Sequence, residues 1–250
     1  GWCWSIGRYL RKTGFTPKKF LARNWLGLLL TFALTGAIFL SVKPGWRVLS
    51  DDTNLLGVSR ALVYEHRPVN QTMGYFHYGN FHAKNEILEK RPLLFPFMAH
   101  LVHLSLGYRC TNLFVVNFLA AWCFLFLFYR VFEPYTGPPG GMAASLLLAS
   151  YPIFSLNATG GGYDLVSALF LALALQSAWL YLHRPETEEL DLLWLNMLML
   201  VNARYETIVY MFVVLALLAA FRRIKDYKRV LLLALWSVPA LLPMLWQRLL

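Results

Sequence analysis

Charge is scarce in this sequence. Of its 250 residues only 14% are Asp, Glu, Lys or Arg, where a soluble domain carries about 25%. Hydrophobic residues make up 58%, and mean hydropathy is +0.49. That balance argues against a soluble enzyme and against a disordered tail. Cysteine is also sparse. Cys3, Cys110 and Cys123 form no framework, so a secreted disulfide module is excluded. No CxxC or HxxxH spacing points to a structural metal. Acids are outnumbered, 13 against 23 bases, for a net charge of +10. Such an excess suits a nucleic-acid binder only if it is spread over a soluble surface.

It is not spread. Arg8, Arg11, Lys12, Lys18, Lys19 and Arg23 fall in residues 1–24, with no acid among them. Arg222, Arg223, Lys225, Lys228 and Arg229, against Asp226, form a second cluster. These two stretches account for the whole net charge. The excess therefore reads as a cytoplasmic-side topology signal rather than a nucleic-acid footprint. Aromatics reach 16%, with 9 Trp, 13 Tyr and 18 Phe, as interface anchoring favours.

Apolar runs set the expected topology. Trp25–Val42 approaches the length that crosses the hydrocarbon core, after a basic cytoplasmic segment, 1–24. No small-residue cleavage site follows Val42, against a signal peptide. Residues 43–91 form a long polar loop, and long loops tend to be functional. Pro92–Tyr108 is apolar but short, with His100 and His103 inside it. If it crossed, the basic cluster at 222–229 would lie outside, against the positive-inside tendency. It is expected to lie along the outer surface as a juxtamembrane helix. Thr111–Phe132, Met142–Ala158, Leu165–His183, Leu190–Ala203, Thr207–Phe221 and Val230–Leu250 complete the set. The expected fold is an all-α polytopic membrane protein. It has about seven transmembrane helices and a long extracytoplasmic first loop, 43–108, within a module spanning 25–250. Residues 190–221 read either as two spans or as one kinked helix, because 202–206 offers no Gly or Pro. The chain begins at Gly1 and stops inside an apolar run at Leu250, and reads as a fragment missing a C-terminal part.

Several polar residues interrupt this pattern. Asp51-Asp52 lies just past the first span, where a carboxylate with a tuned pKa can act as a general base. The same pair also fits a helix N-cap ahead of Leu55-Leu56. Glu89, Lys90 and Arg91 precede the juxtamembrane helix. Lys offers phosphate a point charge and Arg a bidentate fork, while plain headgroup snorkelling also suits both. Asp164 follows three glycines, either at a functional mouth or capping the next helix. Arg204 and Glu206 suit either a ligand phosphate or a structural ion pair. His82 shares the long loop with His66 and His77, and their spacings match no strong metal motif. Asn70-Gln-Thr and Asn157-Ala-Thr are sequons.

The order of these features resembles the GT-C superfamily of integral-membrane glycosyltransferases. The likeness is nearest to the branch of protein O-mannosyltransferases and lipid A aminoarabinose transferases. That branch typically has Asp-Glu after the first span, where this chain has Asp51-Asp52. It has Lys-Pro-Pro-Leu or His-Pro-Pro-Leu entering the juxtamembrane helix, where this chain has Glu89-Lys90-Arg91-Pro92-Leu93. It carries an Asp at the outer end of the third or fourth span, matched by Asp164. Here Asp52 replaces the usual Glu, and arginine breaks the proline pair.

The resemblance implies transfer of a sugar from a polyprenyl-phosphate donor to an acceptor at the extracytoplasmic face, with inversion. Asp51 is then the base, and Asp52 orients the acceptor or a metal. Lys90, Arg91 and Arg204 bind the donor phosphate. Glu89, Asp164, Glu206 and His82 line the site or meet the acceptor. No cofactor follows with certainty; a divalent metal stays open, since the superfamily holds metal-dependent and metal-independent members. The implied partners are the lipid-linked donor, membrane lipids and an acceptor of unknown identity, without nucleic acid. The implied location is multi-pass in a bacterial inner membrane rather than the endoplasmic reticulum, with the N-terminus cytoplasmic. A transporter or flippase for a lipid-linked substrate, or a non-catalytic membrane subunit, is the competing reading.

Overall fold

The computed structural model describes residues 14–88, 91–221 and 227–249, with Gly7, Leu10 and Lys12 before them. The chain is mainly helical. Three helices among the described residues are long and apolar enough to cross a membrane: Pro17–Ser41, Asn112–Ser150 and Asp164–His183. Two compact units are present, Gly27–Val166 and Gly1–Leu26 with Ser167–Leu250.

Helix α1, Pro17–Ser41, starts with proline at its first position, where the missing N–H is no loss. Its buried hydroxyls are satisfied locally: Thr31 donates to the Gly27 carbonyl at 2.7 Å and Thr35 to the Thr31 carbonyl at 2.8 Å. A helix among apolar neighbours must satisfy its polar atoms in this way. Helix α2, Leu49–Tyr64, opens the long loop. Strands β1, Val69–His77, and β2, Asn80–Leu88, then form an antiparallel hairpin. The sequence reading had only a loop there. Val69, Tyr75, Phe76 and Phe81 carry the strand propensity, and Tyr78-Gly79 forms the turn. Both turn residues have positive φ, 47° and 78°, as a type I′ hairpin turn requires. The side-chain amide of Asn70, the first sequon, donates to Asn54 Oδ1 on α2 at 2.9 Å, which ties the hairpin to that helix.

Helix α3, Leu94–Leu106, lies within the short apolar run Pro92–Tyr108. Helix α4, Asn112–Ser150, joins the expected Thr111–Phe132 span to most of the next. Its Glu-Pro-Tyr-Thr-Gly-Pro-Pro-Gly-Gly stretch is a bend rather than an open loop. Gly137 leaves helical geometry there, with φ 72° and ψ 177°. Pro138 and Pro139 follow and cannot supply helical N–H groups. The rest of that expected span is a separate short helix, α5, Pro152–Ala158. Against α1, α4 lays an aromatic ladder: Phe32 meets Phe118 and Trp122, and Phe39 meets Phe118, with ring centres 5.1–5.4 Å apart. The Trp122 indole N–H donates to the Leu28 carbonyl at 3.1 Å. The core of this unit includes Leu55, Val58, Phe95, Leu113, Val116 and Leu125, all buried.

In the other unit, α6 (Asp164–His183), α7 (Thr187–Ala203), α8 (Ile208–Ala220) and α9 (Tyr227–Leu249) supply the core residues. Residues 190–221 are two helices, not one. Arg204 is extended (φ −155°, ψ 115°) and a 3₁₀ turn, Tyr205–Thr207, follows. The Thr207 hydroxyl lies 3.0 Å from the Leu200 carbonyl and 2.6 Å from the Arg204 carbonyl, both acceptors. A hydroxyl thus covers the helix end that Gly or Pro would ordinarily mark. Between helices, Trp194 Nε1 donates to Ser237 Oγ at 2.7 Å and Asn196 Nδ2 to Ser177 Oγ at 2.6 Å. Arg229 pairs bidentately with buried Asp191.

Removing one partner of such a buried pair strands the other charge, at about 3–5 kcal/mol. Arg229→Met is expected to lower the melting temperature in detergent, and Arg229→Gln with Asp191→Asn to recover much of the loss. An unchanged melting temperature for Arg229→Met would remove this pair from the account.

Candidate functional site

The polar residues of the first unit gather where α2 begins. Trp46-Arg47-Val48 leads into the helix, and Asp51 and Asp52 sit in its first turn. The N-cap position is Val48, which has no side chain able to cap. Asp52 takes over that work by reaching back. Its carboxylate accepts from the Arg47 backbone N–H at 3.0 Å and is also held by the backbone of Val48 and Gly161. The Asp pair is therefore not the N-cap of α2; both acids lie inside its first turn, and Asp52 holds the backbone just before the helix.

Gly161 belongs to the Thr159–Asp164 segment, which comes from the far end of α4 and α5. A Cβ at Gly161 would lie 2.8 Å from the Trp46 ring and 3.1 Å from Asp52 Oδ2. Only glycine lets this backbone come so close. Asn117, buried on α4, holds the segment from below; its amide donates to the carbonyls of Gly160 and Gly162, both at 2.8 Å. Gly45 N–H donates to the Thr159 carbonyl at 3.0 Å, and Arg47 Nη2 to Thr159 Oγ1 at 2.9 Å.

Asp52 is almost wholly buried, at 2% exposure. Burial pushes its carboxyl above the usual carboxylate range, and Asp51 adds to this; the backbone N–H groups of Arg47, Val48 and Gly161 pull the other way. Asp51 is about one-third exposed and pairs with Arg91. The Arg91 guanidinium also donates to the Tyr163 hydroxyl at 3.3 Å. Arg91 therefore joins the start of α3 to both the Asp pair and the glycine segment. Asp164 opens α6 and is exposed; a Cβ at Gly162 would stand 3.4 Å from Asp52 Oδ1 and 4.0 Å from Asp164 Oδ2. Asp52 and Asp164 thus border one short glycine segment, and Arg91 links Asp51 to Tyr163 beside it.

Glu89 and Lys90 are outside the described residues. His82 is on β2, stacked on Tyr75 and near His77. Arg204 and Glu206 belong to the other unit and pair with each other at 3.6 Å. Among the described residues, the close group of three carboxylates is Glu186, Glu188 and Glu189. The Lys12 ammonium pairs with all three, so these acids have a cation of the chain's own.

Sequence reasoning missed Arg47, Asn117 and Tyr163. Asn117 had a usable signal: an amide inside a long apolar run must find a partner. It also missed the role of His103. Asn112 Nδ2 donates to His103 Nδ1 at 2.7 Å. Nδ1 is then the acceptor, so Nε2 carries the proton and donates to Ser59 Oγ at 3.1 Å. Ser59 donates onward to the Leu56 carbonyl at 2.8 Å. Burial, with His100 beside it, holds the His103 pKa below its usual value, which keeps the ring neutral. This chain fastens α3 to α2 and to the start of α4. Comparisons with protein-family models, curated proteins and solved structures returned no match.

Asp52 gives a pH signature. Its folded pKa lies above its unfolded value, so the folded protein holds the proton more tightly. That stabilisation is full below the unfolded pKa and is lost as pH rises through the folded pKa. The melting temperature of the wild type is therefore expected to fall relative to Asp52→Asn as pH rises above about 4. Parallel melting curves at every pH would contradict the assignment.

Proposed function

We propose that this chain is part of a membrane glycosyltransferase that moves a sugar from a polyprenyl-phosphate donor to an acceptor. The observation that carries the reading is the meeting of Asp51, Arg91 and Tyr163 beside the glycine segment. A base for an acceptor hydroxyl and a cation for a departing phosphate are the two groups such a displacement needs. Both side chains are partly exposed, within reach of a substrate.

The chemistry follows from their charges. The acceptor oxygen attacks the anomeric carbon and its proton passes to Asp51. The bond from that carbon to the phosphate oxygen breaks, and the phosphate leaves with the electron pair. One displacement inverts the anomeric carbon. Arg91 stabilises the charge growing on the phosphate, and low surrounding dielectric enlarges that effect. Arg91 holds Asp51 before the phosphate arrives, so engagement of the phosphate loosens Asp51 for its role as base. Asp52 acts through shape: it fixes the glycine segment and the start of α2. Asp164 borders the acceptor side. A divalent cation near the acids is compatible with this scheme, but no step requires one.

The finer topology belongs to the same proposal: about seven spans, N-terminus in the cytoplasm, residues 43–108 outside, in a bacterial inner membrane. Contacts within each unit support it. Arg91, before α3, meets Asp51 and Tyr163, while His103, near its end, meets Asn112. Asn112 and Asn117 share the first turns of α4, and Asn117 holds Gly160 and Gly162. Both ends of α3 therefore return to the same end of α4, as a helix lying along a surface does. Within the second unit, Lys12 meets the acids at 186–189, and Arg229 meets Asp191. Positive-inside topology places these segments together.

The test is transfer from a polyprenyl-phosphate sugar in proteoliposomes of the full-length protein. Asp51→Asn is expected to cost about 10²–10⁴-fold in turnover, the range of general-base catalysis. Arg91→Ala is expected to be similarly impaired, with Arg91→Lys partly active. Near-normal turnover in both Asp51→Asn and Arg91→Ala would overturn the reading and favour a carrier or a non-catalytic subunit.

A further inference from the structure

A groove of about 370 Å³ opens between α6, α7 and α8 in the second unit. Its wall includes Leu171 and Ala174 of α6, Met197 of α7, and Met211, Val214 and Leu217 of α8. The one hydroxyl at its end on the 3₁₀ turn, Thr207, is already committed to backbone carbonyls. Apart from the Tyr210 hydroxyl at the same end, the lining offers hydrocarbon rather than polar groups.

The groove is polarised along its length. One end carries Thr207 and the half-exposed Tyr210, with Arg204 and Glu206 in the same turn. The Arg204 side chain is 46% exposed and pairs with Glu206 at 3.6 Å, a contact that a phosphate would share. From Thr207 to Leu217 the wall is apolar and runs along α8. Ten residues of helix advance about 15 Å. That is half the roughly 30 Å hydrocarbon thickness of a bilayer, the depth of one leaflet. Tyrosine and arginine at the polar end are the residue types found at headgroup level.

We propose that this groove is a site for one phospholipid of the surrounding bilayer. An acyl chain lies along Met211, Val214 and Leu217, and the phosphate sits on Arg204. Arg204 then serves a resident lipid in the second unit rather than the sugar donor. The depth argument rests on the topology proposed above, in which α8 is one of the spans. The site itself is independent of the transferase reading.

The experiment is native mass spectrometry of the detergent-solubilised full chain, before and after delipidation. The wild type is expected to retain one phospholipid per chain. After delipidation it is expected to rebind phosphatidylglycerol, with a rise in melting temperature. Ala174→Trp and Val214→Trp fill the groove and are expected to lose the bound lipid while keeping the wild-type helical content. Arg204→Gln is expected to keep the groove but to weaken phosphatidylglycerol about fivefold, the value of one cation at the headgroup layer. Equal lipid retention in a folded groove-filling variant would overturn the proposal. So would delipidated wild type that neither rebinds nor is stabilised, or a polyprenyl phosphate recovered as the resident ligand. Full turnover of Asp51→Asn would sink the transferase reading and leave these lipid results untouched.

Discussion

The first unit depends on one buried carboxylate held by backbone. Asp52 joins residues 46–48, at the head of α2, to Gly161, more than a hundred positions later. Neither segment has a regular element to fix its position. Both are irregular backbone, whose polar groups must be satisfied somewhere. A carboxylate accepts several N–H bonds at once, so a single side chain can gather them. Asn117 does the complementary work from below, supplying donors to the Gly160 and Gly162 carbonyls. Once these two residues are in place, the exposed chemistry has fixed positions. Asp51 follows from its neighbour, and Tyr163 follows from the glycine segment. Arg91 closes the gap between them.

This division assigns different work to two adjacent acids of the same type. Asp52 is buried, hydrogen-bonded and raised in pKa. Asp51, one residue earlier on the turn, faces a cation and is reachable. Paired acids whose environments differ are a recurring basis for separate structural and chemical roles. The scheme for sugar transfer uses that difference. It asks reactive chemistry of Asp51 and rigidity of Asp52. In the second unit the basic residues are held in ion pairs. Lys12 and Arg229 are absorbed by acids at 186–191, so its basic excess is partly structural.

What could be read from the sequence followed physical strength of signal. Apolar runs gave most of the helices, though not α2, which lies in the stretch read as a loop, and the ends of α6 and α8 fall within a residue or two of the expected ones. The short apolar run with two histidines gave α3. The hairpin was missed because its alternation is weak: Asn70, Gln71 and Thr72 precede the aromatic residues, and Tyr78-Gly79 is not a strong turn signal. The α4 bend looked like a loop because three prolines ordinarily end a helix; one glycine at positive φ carries the whole change of direction. In the site, Asp51, Asp52, Arg91 and Asp164 were legible as charges out of place in an apolar chain. Arg47 and Tyr163 were not, since an arginine near a membrane helix and a tyrosine before one are commonplace at interfaces. Their roles come from long-range proximity, which no local pattern encodes. Arg204 and Glu206 read either as a ligand site or as a structural ion pair, and within the second unit they do pair with one another.

The central claim is that Asp51 and Arg91 serve a single displacement at a sugar phosphate. The most direct measurement follows a polyprenyl-phosphate sugar in proteoliposomes of the full-length protein. Both the freed polyprenyl phosphate and the anomeric configuration of the first product are read by NMR. The account predicts release of polyprenyl phosphate with an inverted anomeric centre. A product with retained configuration, or a donor that changes leaflet without changing chemically, would contradict it.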